Sequence, residues 1–246
     1  RLTGKAGVCL STLGPGATNL LTGCWDAKVD RAPMLALTGQ VNQQVFGPGA
    51  FQELPLTAAF GSVAEFSHTA LPGSDHAELM SLAIKHSLNE RKPTHIVFPD
   101  DVQTIPAKDD AEAGTPEGRL ANIEIAPPKA DLDRAIKLLK AAERPVIIIG
   151  HGARYETDAI IALAEELKCP VLTTFKGKGL IGDHGAAVGG HELGGGVLGR
   201  SGTPIASWFM NESDLLLVFG ASFSNHTGIT PKKPIIQVDF DRAQLA

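Results

Sequence analysis

A glycine-rich turn at Gly150–Arg154 has the residue types that a phosphate site needs. The sequence GHGAR stands where an apolar, strand-like run gives way to a helical pattern. Glycines at such a turn let backbone N–H groups approach a phosphate, and a helix N-terminus adds the positive end of its dipole. A tight turn without any ligand is the alternative interpretation, and this motif by itself does not separate the two.

Four more polar or glycine-rich segments are predicted to lie at or after the carboxyl ends of strands. They are Thr173–Gly179, Gly189–Gly196, Phe219–Ser222 and Val238–Asp241. Ligands of open parallel sheets bind outside those ends, so these loops together predict a site for an extended nucleotide. Asp239 would hold a ribose or an adenine amine there, and the alternative is a solvated acid at a strand end. A standard NAD site is disfavoured, because Thr173 and Thr174 end the second strand where a ribose-binding acid is expected.

Catalytic groups of the common kinds are not clustered in the sequence. It contains no P-loop, no Ser-His-Asp pattern and no zinc-ligand spacing, and its histidines are scattered. Among them, His191 is a candidate ligand contact, with an ordinary polar loop residue as the alternative. The residue chemistry alone therefore favours a binding protein over a catalyst.

The elements that position these loops follow from apolar runs and helical periods. In the first part of the chain, the predicted elements are a buried strand at Ala6–Thr12, a helix at Ala17–Lys28, a strand at Pro33–Thr38, a loop-like stretch at 42–61, a helix at Asp75–Asn89 and a strand at Thr94–Pro99. This alternation indicates βαβ units around a parallel sheet. Gly14, Pro15 and Gly16 break the chain between the first strand and the first helix.

The same alternation restarts after a polar, Pro- and Gly-rich stretch at 106–128, which predicts a linker. The predicted elements there are a helix with Leu132, Ala135, Ile136, Leu139 and Ala142 on one face, strands at 145–150, 170–174, 214–220 and 234–240, and helices around 160–167 and 203–211. The predicted fold class is therefore α/β, with two doubly wound parallel-sheet domains at 1–105 and 129–246.

The composition is that of an ordinary globular chain. Of its 246 residues, 43% are apolar and 20% are charged, and the net charge is −5. No Lys/Arg cluster is present for nucleic acid, and no apolar run reaches the roughly 18 residues of a membrane span. Cys9, Cys24 and Cys169 are too few and too scattered for a disulfide framework. We expect a cytoplasmic protein that binds a small molecule.

Taken together, these segments resemble the thiamine diphosphate enzymes of the acetolactate synthase and pyruvate oxidase group. STLGPGATNLLTGCWDA, PMLALTGQV and FQE are similar to the pyrimidine-binding domain of that group, and AAERPVIIIGHGAR, TTFKGKG, SDLLLVFGASF and IIQVDFD to its central domain. The resemblance covers essentially the whole chain in the family's order. It implies a partial pyrimidine-binding domain at 1–105 and a central, FAD-binding-like domain at 129–246.

The resemblance also implies which residues contact cofactors. Those of the thiamine pocket are Gly14, Pro15, Gly16 and Asn19, with Phe51 and Gln52 near the reacting centre. Those that would contact FAD in the central domain are Gly150, Gly152, Arg154, Thr174, Phe175, Lys176, Gly177, Gly189, Gly190, His191, Gly220, Ser222, Phe223 and Asp239. Other members of the group bind ADP there, or nothing.

The implied activity is decarboxylation of a 2-oxo acid such as pyruvate, with transfer of the hydroxyethyl-type unit to an acceptor, in a homodimer or homotetramer. The family's catalytic glutamate lies upstream of the stretch that RLTGKAG ends. Its Gly-Asp-Gly motif, which carries Mg²⁺ and the diphosphate, lies in a C-terminal domain. Neither is in this sequence, which is therefore expected to be an inactive fragment of a thiamine diphosphate- and Mg²⁺-dependent enzyme.

Within the group, the sequence favours a pyruvate oxidase-like enzyme over an acetolactate synthase-type carboligase. Gln44 and Glu65 stand where acetolactate synthases usually carry basic residues, and SVAEFS, AAERP and GHGAR look more like the oxidases. The segment Ala221–Gly228 lacks the Arg and Asp that acetolactate synthases use on the flavin and matches neither subgroup well. Two further classes stay open: a non-catalytic nucleotide-binding module of the same fold, and an unrelated Rossmann protein that binds NAD.

Overall fold

Residues 3–106, 120, 125–182 and 190–245 are described by the structure, a computed structural model. The chain divides into two units, Arg1–Ile123 and Glu124–Ala246. Each unit is built on a parallel β-sheet, which confirms the predicted fold class. The predicted linker at 106–128 lies largely outside the described residues. No helix in the described part of the chain is long and apolar enough to cross a membrane.

The first unit alternates strands and helices along the chain. Its elements are β1 (Gly7–Ser11), α1 (Pro15–Val29), β2 (Met34–Gln40), α2 (Leu56–Phe60), β3 (Phe66–Thr69), α3 (His76–Glu90), β4 (Pro93–Pro99) and α4 (Asp100–Gln103). The described strands form a parallel sheet in the order β1-β2-β4-β3. The connection from β2 to β3 therefore passes over β4, and the carboxyl ends of all four strands meet at one edge.

Helices cover both faces of this sheet. On one face, α1 and α2 pack on Ala36 and Val97, and Phe60 of α2 is fully buried there. On the other face, α3 packs on Leu35 and Ile96. Burial on both faces explains why β2 and β4 contain the consecutive apolar residues Met34–Leu37 and Ile96–Pro99 rather than alternating patterns.

The first strand is less buried than its sequence predicts. Val8 is 65% exposed and Leu10 is 78% exposed. Within the described residues β1 pairs only with β2, and α1 covers only the face that carries Cys9. The prediction of a buried strand at Ala6–Thr12 is therefore wrong for the face with Val8 and Leu10. An apolar run shows which residues are hydrophobic, but it does not show whether another element packs on them.

Two short elements of this unit were not predicted. Helix α2 lies in the stretch predicted as loop-like, and β3 was not recognised at all. Five residues are too few to display a helical period, and the FSHT sequence of β3 has one apolar residue followed by three polar ones, so it shows no strand pattern. Both elements are stabilised by contacts with residues distant in sequence. Leu56 and Phe60 of α2 pack in the core, and β3 pairs with β4.

The second unit repeats the architecture with five strands in its described part. Its elements are α5 (Lys129–Ala141), β5 (Pro145–Ile149), α6 (Thr157–Leu167), β6 (Val171–Thr173), β7 (Gly194–Val197), α7 (Pro204–Glu212), β8 (Leu215–Phe219) and β9 (Ile235–Val238). The sheet order is β7-β6-β5-β8-β9, all parallel. The strand order thus reverses between β5 and β8, which places the topological switch point at their carboxyl ends.

Alternate residues of β5 face the two sides of this sheet. Val146 and Ile148 pack in the cluster that includes Met210 of α7, and Ile147 and Ile149 pack in the cluster that includes Ile160 of α6. Every one of these strand residues is buried. The apolar run Pro145–Ile149 was predictable for this reason.

Two features of the second unit differ from the prediction. Leu132 and Ile136, on the predicted apolar face of α5, are exposed, and only the Leu139 end of the helix packs on the core. Strand β7 lies inside a glycine-rich stretch that had no predicted strand. A Cβ at Gly195 would lie 2.6 Å from Leu172 Cδ2, so close packing and not strand propensity selects this segment.

Candidate functional site

Gly14 and Gln52 meet at the carboxyl edge of the first sheet. Gly14 follows β1 and directly precedes α1, with φ 57° and ψ −121°. A Cβ on Gly14 would lie 2.7 Å from the Gln52 carbonyl oxygen and 2.8 Å from Gln52 Cβ. Gln52 itself has φ 64°. The structure therefore brings together two of the sequence-predicted site segments, and their contact requires a residue without a side chain at position 14.

Other residues of the predicted thiamine pocket lie beside this contact. Pro15 and Gly16 begin α1, and a Cβ on Gly16 would lie 2.5 Å from Thr12 Cγ2. Asn19 lies in the second turn of α1 and is exposed. Phe51 is 86% exposed, so its ring is presented to solvent instead of packing in the core.

Glu53 organises the loop that carries Phe51 and Gln52. Its carboxylate accepts hydrogen bonds from the Gly47 N–H at 2.7 Å and the Ala50 N–H at 3.1 Å. The hydrogen bond from Gly47 is the main reason that the pKa of Glu53 lies below its ordinary value. Because both donors are backbone groups of the loop, the ionised carboxylate holds the loop in one shape.

Glu53→Gln is expected to loosen this loop at neutral pH, since a neutral amide offers one carbonyl oxygen to two N–H donors. Hydrogen exchange of the Gly47 and Ala50 amides should become several-fold faster in this variant. In the parent protein the same loosening should appear as the pH falls below 4.5, the ordinary pKa of the group. The sign follows because a carboxyl group with a lowered pKa stabilises the folded loop only while it is ionised.

Amide exchange measured by NMR, corrected for intrinsic rates, checks this expectation. Glu90→Gln, at an exposed position of α3, is the matched control and should leave both amides unchanged. Equal protection of Gly47 and Ala50 in the parent protein and in Glu53→Gln would contradict the role given to the carboxylate.

A cavity of about 420 Å³ opens behind this loop. Gln40, Thr69 and Val97 line it from the carboxyl-terminal parts of β2, β3 and β4, and its outer wall consists of Phe46, Gly47, Gly49 and residues 53–57. Gln40 Nε2 donates to the Leu54 carbonyl oxygen at 2.7 Å, which ties the outer wall to the sheet. The volume and the mixture of apolar and polar lining suit a small organic ligand.

In the second unit, the predicted phosphate turn is packed against another strand end. Gly150 N donates to the Phe219 carbonyl oxygen at 2.9 Å, and Gly152 N donates to the Gly220 carbonyl oxygen at 2.9 Å. A Cβ on Gly152 would lie 2.8 Å from Gly220 Cα. These glycines therefore join the ends of β5 and β8, and their N–H groups are already bonded. The interpretation that they leave backbone donors for a phosphate is wrong, because the switch-point loops close on each other.

Arg154 and the segment after β6 also make local contacts. Arg154 Nη1 donates to the His151 carbonyl oxygen at 3.0 Å, Arg154 Nη2 donates to the Tyr155 hydroxyl at 3.0 Å, and the guanidinium lies 4.2 Å from the centre of the Tyr155 ring. Thr174 is buried and its hydroxyl accepts from Gly177 N at 3.1 Å. Phe175 and Lys176, between them, are exposed.

The remaining predicted contacts at this edge are more open. Ser222 and Phe223 follow Gly220 and are exposed. Asp239 follows β9, and one of its carboxylate oxygens accepts from Asp241 N at 2.9 Å. Thr174, Phe175, Ser222, Phe223 and Asp239 thus share the carboxyl edge of the second sheet with the predicted glycines at the ends of β5 and β8.

His191 lies at the opposite edge from these residues. It precedes β7, and Leu193 O accepts from Val171 N at the first residue of β6, so the segment with Gly190 and His191 lies at the amino ends of these strands. The premise that this segment follows a strand is therefore wrong. The carboxyl end of β7 is about 10 Å farther along. Gly189, predicted with them, lies outside the described residues.

Both ring nitrogens of His191 are engaged within the unit. Nδ1 accepts from Leu193 N at 3.2 Å, so the proton of the neutral ring is on Nε2, which lies 3.2 Å from Glu165 Oε1. This side chain fastens the end of α6 to the start of β7.

The segment that does follow β7 was missed by sequence reasoning. Leu198 N donates to the Thr173 carbonyl oxygen at 2.8 Å, which places Leu198 beside the carboxyl end of β6. The exposed Arg200 follows, and its N–H donates to the His226 carbonyl oxygen at 3.0 Å. Recognising β7 within GGGV would have revealed this loop, but no apolar run marks that strand.

Comparison with known protein families assigns both units. The N-terminal thiamine pyrophosphate-binding domain of thiamine pyrophosphate enzymes matches residues 1–60, and the central domain of these enzymes matches residues 132–246. The chain belongs to the thiamine pyrophosphate enzyme family. The segments that meet at Gly14 and Gln52 lie within the first match, and the Gly150–Gly220 contact lies within the second.

Individual relatives carry names from the same family. A probable acetolactate synthase large subunit of Methanocaldococcus jannaschii is 35% identical over the whole chain, which covers 42% of that protein. The putative thiamine pyrophosphate-containing protein YdaP of Bacillus subtilis is 33% identical, with 41% covered. A chloroplastic acetolactate synthase of Arabidopsis thaliana is 30% identical, with 37% covered. The chain spans about two fifths of the length of the relatives it matches.

The family's cofactor can be compared with the residues present. The Gly14–Gln52 contact and the cavity both lie at the carboxyl edge of the first sheet, and the cavity volume fits an aminopyrimidine ring, but none of the predicted thiamine-pocket residues lines the cavity. Within the described residues, no group of three or more His, Cys, Asp or Glu side chains could hold a metal ion. In the second unit, the bonded amides of Gly150 and Gly152 do not fit a cradle for a dinucleotide diphosphate, and flavin binding there stays a prediction.

Proposed function

We propose that the protein containing this chain is a thiamine diphosphate-dependent enzyme that decarboxylates a 2-oxo acid of the pyruvate type and transfers the remaining two-carbon unit to an acceptor. The close approach of Gly14 to Gln52 beside the cavity carries this proposal. This contact joins the loop before α1 to the FQE segment at the carboxyl edge of the sheet, where ligands of parallel sheets bind. Family membership supports the cofactor.

The residues at this edge would position the reactants. Gly14, Pro15, Gly16 and Asn19 would support one side of the aminopyrimidine, and Gln52 would contact the reacting part of the substrate. Thiamine diphosphate supplies the electron sink for carbon dioxide loss when it is bound. Glu53, through its two hydrogen bonds to the loop, would keep Gln52 in place, and the exposed ring of Phe51 would exclude water when a ligand arrives.

Carboligation is the form of the reaction that the two relatives named as acetolactate synthases favour. Two pyruvate ions and one proton would give acetolactate and carbon dioxide, with a new carbon–carbon bond and no net redox change. An oxidase is the second candidate, favoured by Gln44 and by Glu65, which stand where acetolactate synthases carry basic residues. Glu65 is occupied in an ion pair with Lys92 at 2.8 Å. An oxidase would pass two electrons to an acceptor, and a bound flavin would serve that step.

The full-length protein, supplied with Mg²⁺, thiamine diphosphate and pyruvate, distinguishes these reactions. Carbon dioxide release with acetolactate formation supports the carboligase, and carbon dioxide release with reduction of an added dye supports the oxidase. A flavin absorbance spectrum, with flavin released on denaturation, would support the predicted FAD site. The absence of carbon dioxide release at saturating cofactor would contradict the proposed function. Light scattering on the same sample measures the predicted homo-oligomer.

Gln52→Ala is expected to lower kcat/KM of the full-length enzyme by at least about ten-fold, since it removes a side chain that positions substrate. Leu71→Ala, at an exposed position outside the cavity lining, is the control and should retain the parent rate. Steady-state kinetics of both variants decides the matter. A Gln52→Ala enzyme with parent kinetics would remove this residue from the site.

A further inference from the structure

A fully buried histidine links the strands beneath the cavity. His95 of β4 is 0% exposed. Its Nε2 lies 2.8 Å from Thr38 Oγ1 of β2, and its Nδ1 lies 2.9 Å from Ser67 Oγ of β3. The ring stacks on Phe60 of α2, with 3.7 Å between ring centres and 12° between planes. One imidazole thus contacts three neighbouring elements of the first unit.

The hydrogen bonds of this cluster have a direction. Ser67 Oγ lies 3.5 Å from the Thr57 carbonyl oxygen, which can only accept, so the Ser67 hydroxyl donates to it. Ser67 then accepts from His95 Nδ1–H, and a neutral His95 accepts at Nε2 from the Thr38 hydroxyl. The chain of donors runs from β2 through His95 and Ser67 to α2. Thr57 is itself a lining residue of the cavity.

We infer that neutral His95 is a positioning residue that holds α2, and with it the cavity wall, on the sheet, and that protonation of this ring releases them. A charged imidazole has two N–H donors and no acceptor, so the Thr38 hydroxyl could no longer donate to Nε2 and would have to turn and accept from it, and the buried ring would carry a charge against Phe60. The inference concerns the folding of the first unit and does not depend on which reaction the protein catalyses.

Among the described residues, no charged side chain is bonded to His95. Burial lowers the pKa of His95 from 6.5 to about 4. Strand β2 and helix α2 contain no ionisable residue. The ionisable groups of the other elements packed around this face are Cys9, Cys24, Asp26, Lys28, Glu65 and Lys92. Burial raises the pKa of both thiols, which are therefore neutral in acid, and Glu65 and Lys92 pair with each other.

The sign of the pH effect follows from these values. The unfolded chain protonates His95 near pH 6.5 and the folded unit only near pH 4. The contribution of His95 to stability is therefore complete above pH 6.5 and is lost as the pH falls toward 4. Over that interval the unfolding equilibrium constant of the first unit should rise on the order of 100-fold from this group.

Urea unfolding of the first unit at pH 8, 6.5, 5 and 4.5 tests the inference. The sequence contains two tryptophans, Trp25 in the first unit and Trp208 in the second, so Trp25 fluorescence in a Trp208→Phe background reports on the first unit alone. His95→Phe should flatten the pH dependence between 6.5 and 4.5. His68→Phe, at an exposed position of β3, is the control and should retain it. An unchanged pH dependence in His95→Phe would overturn the inference.

Spectroscopy of the parent protein decides the question even if His95→Phe does not fold. The imidazole nitrogens of His95 should show a proton on Nδ1 at neutral pH, and their shifts should stay constant from pH 8 to 5. Ser67→Ala, which removes the link to Thr57, should speed amide exchange in Leu56–Phe60 at least ten-fold, whereas Ser74→Ala should not. Titration of His95 near pH 6.5, or a proton on Nε2, would overturn the inference.

Discussion

The Gly150→Ala variant is expected to lose about 3 kcal/mol in the free energy of unfolding of the second unit. Gly150 is buried at the end of β5. An added Cβ would overlap the Gly220 carbonyl oxygen and would lie 2.5 Å from Ala221 Cα. The obstructing atoms are backbone atoms of the loop after β8, which cannot rotate away as a side chain would. The ends of β5 and β8 would have to separate at the centre of the sheet.

Fluorescence of Trp208, in a Trp25→Phe background, measures the unfolding of the second unit by urea. Gly23→Ala is the matched control, because no atom lies within 4 Å of a Cβ at that position of α1. We expect that control, followed by Trp25 in a Trp208→Phe background, to gain about 0.5–1 kcal/mol from helix propensity. A Gly150→Ala protein as stable as its parent would show that the contact between the two loops is looser than the structure has it.

Gly14→Ala is expected to reduce kcat/KM of the full-length enzyme by about 100-fold. The added Cβ would overlap Gln52, and the φ of 57° at position 14 disfavours any side chain. The FQE segment would shift outward, which would misplace Gln52 and open the pocket wall. Because the loop before α1 also moves, we expect weaker binding of thiamine diphosphate as well.

Gly7→Ala is the control for this variant, because nothing lies within 4 Å of a Cβ at that position of β1. Steady-state kinetics and calorimetric titration with thiamine diphosphate measure the two effects. The amide shift of Gln52 measures the structural part by itself: it should change in Gly14→Ala even if the proposed reaction is wrong. Parent kinetics, affinity and Gln52 shift in Gly14→Ala would contradict the contact.

Buried regular elements were predictable because their sequences carry the pattern of their burial. The apolar runs of β2, β5 and β8 and the helical period of α1 arise because these elements pack against the core on the same side or sides along their length. The same logic failed for β1, where Val8 and Leu10 are apolar but exposed. It also failed for α2, β3 and β7, which are too short or too rich in glycine to carry a pattern.

The candidate sites divide in the same way. The motifs at Gly14 and Gln52 were predicted from the sequence to belong to one pocket, and the structure brings the two motifs into contact. His191 was assigned to the wrong edge of the second sheet. Because β7 was not recognised, the sequence did not show that His191 precedes this strand and does not follow one. The loop with Arg200 was missed for the same reason.

By itself, the sequence determined the fold class and the family, because these depend on local patterns and motifs, and it predicted the segments of a thiamine pocket. Only the tertiary structure decided what the glycines do: Gly14 makes room for Gln52, and Gly150 and Gly152 pack on the loop after β8. It also decided that His95 joins three elements beneath the cavity. The physical reason is that these roles depend on atoms many residues away, and a sequence pattern does not specify which of them come into contact.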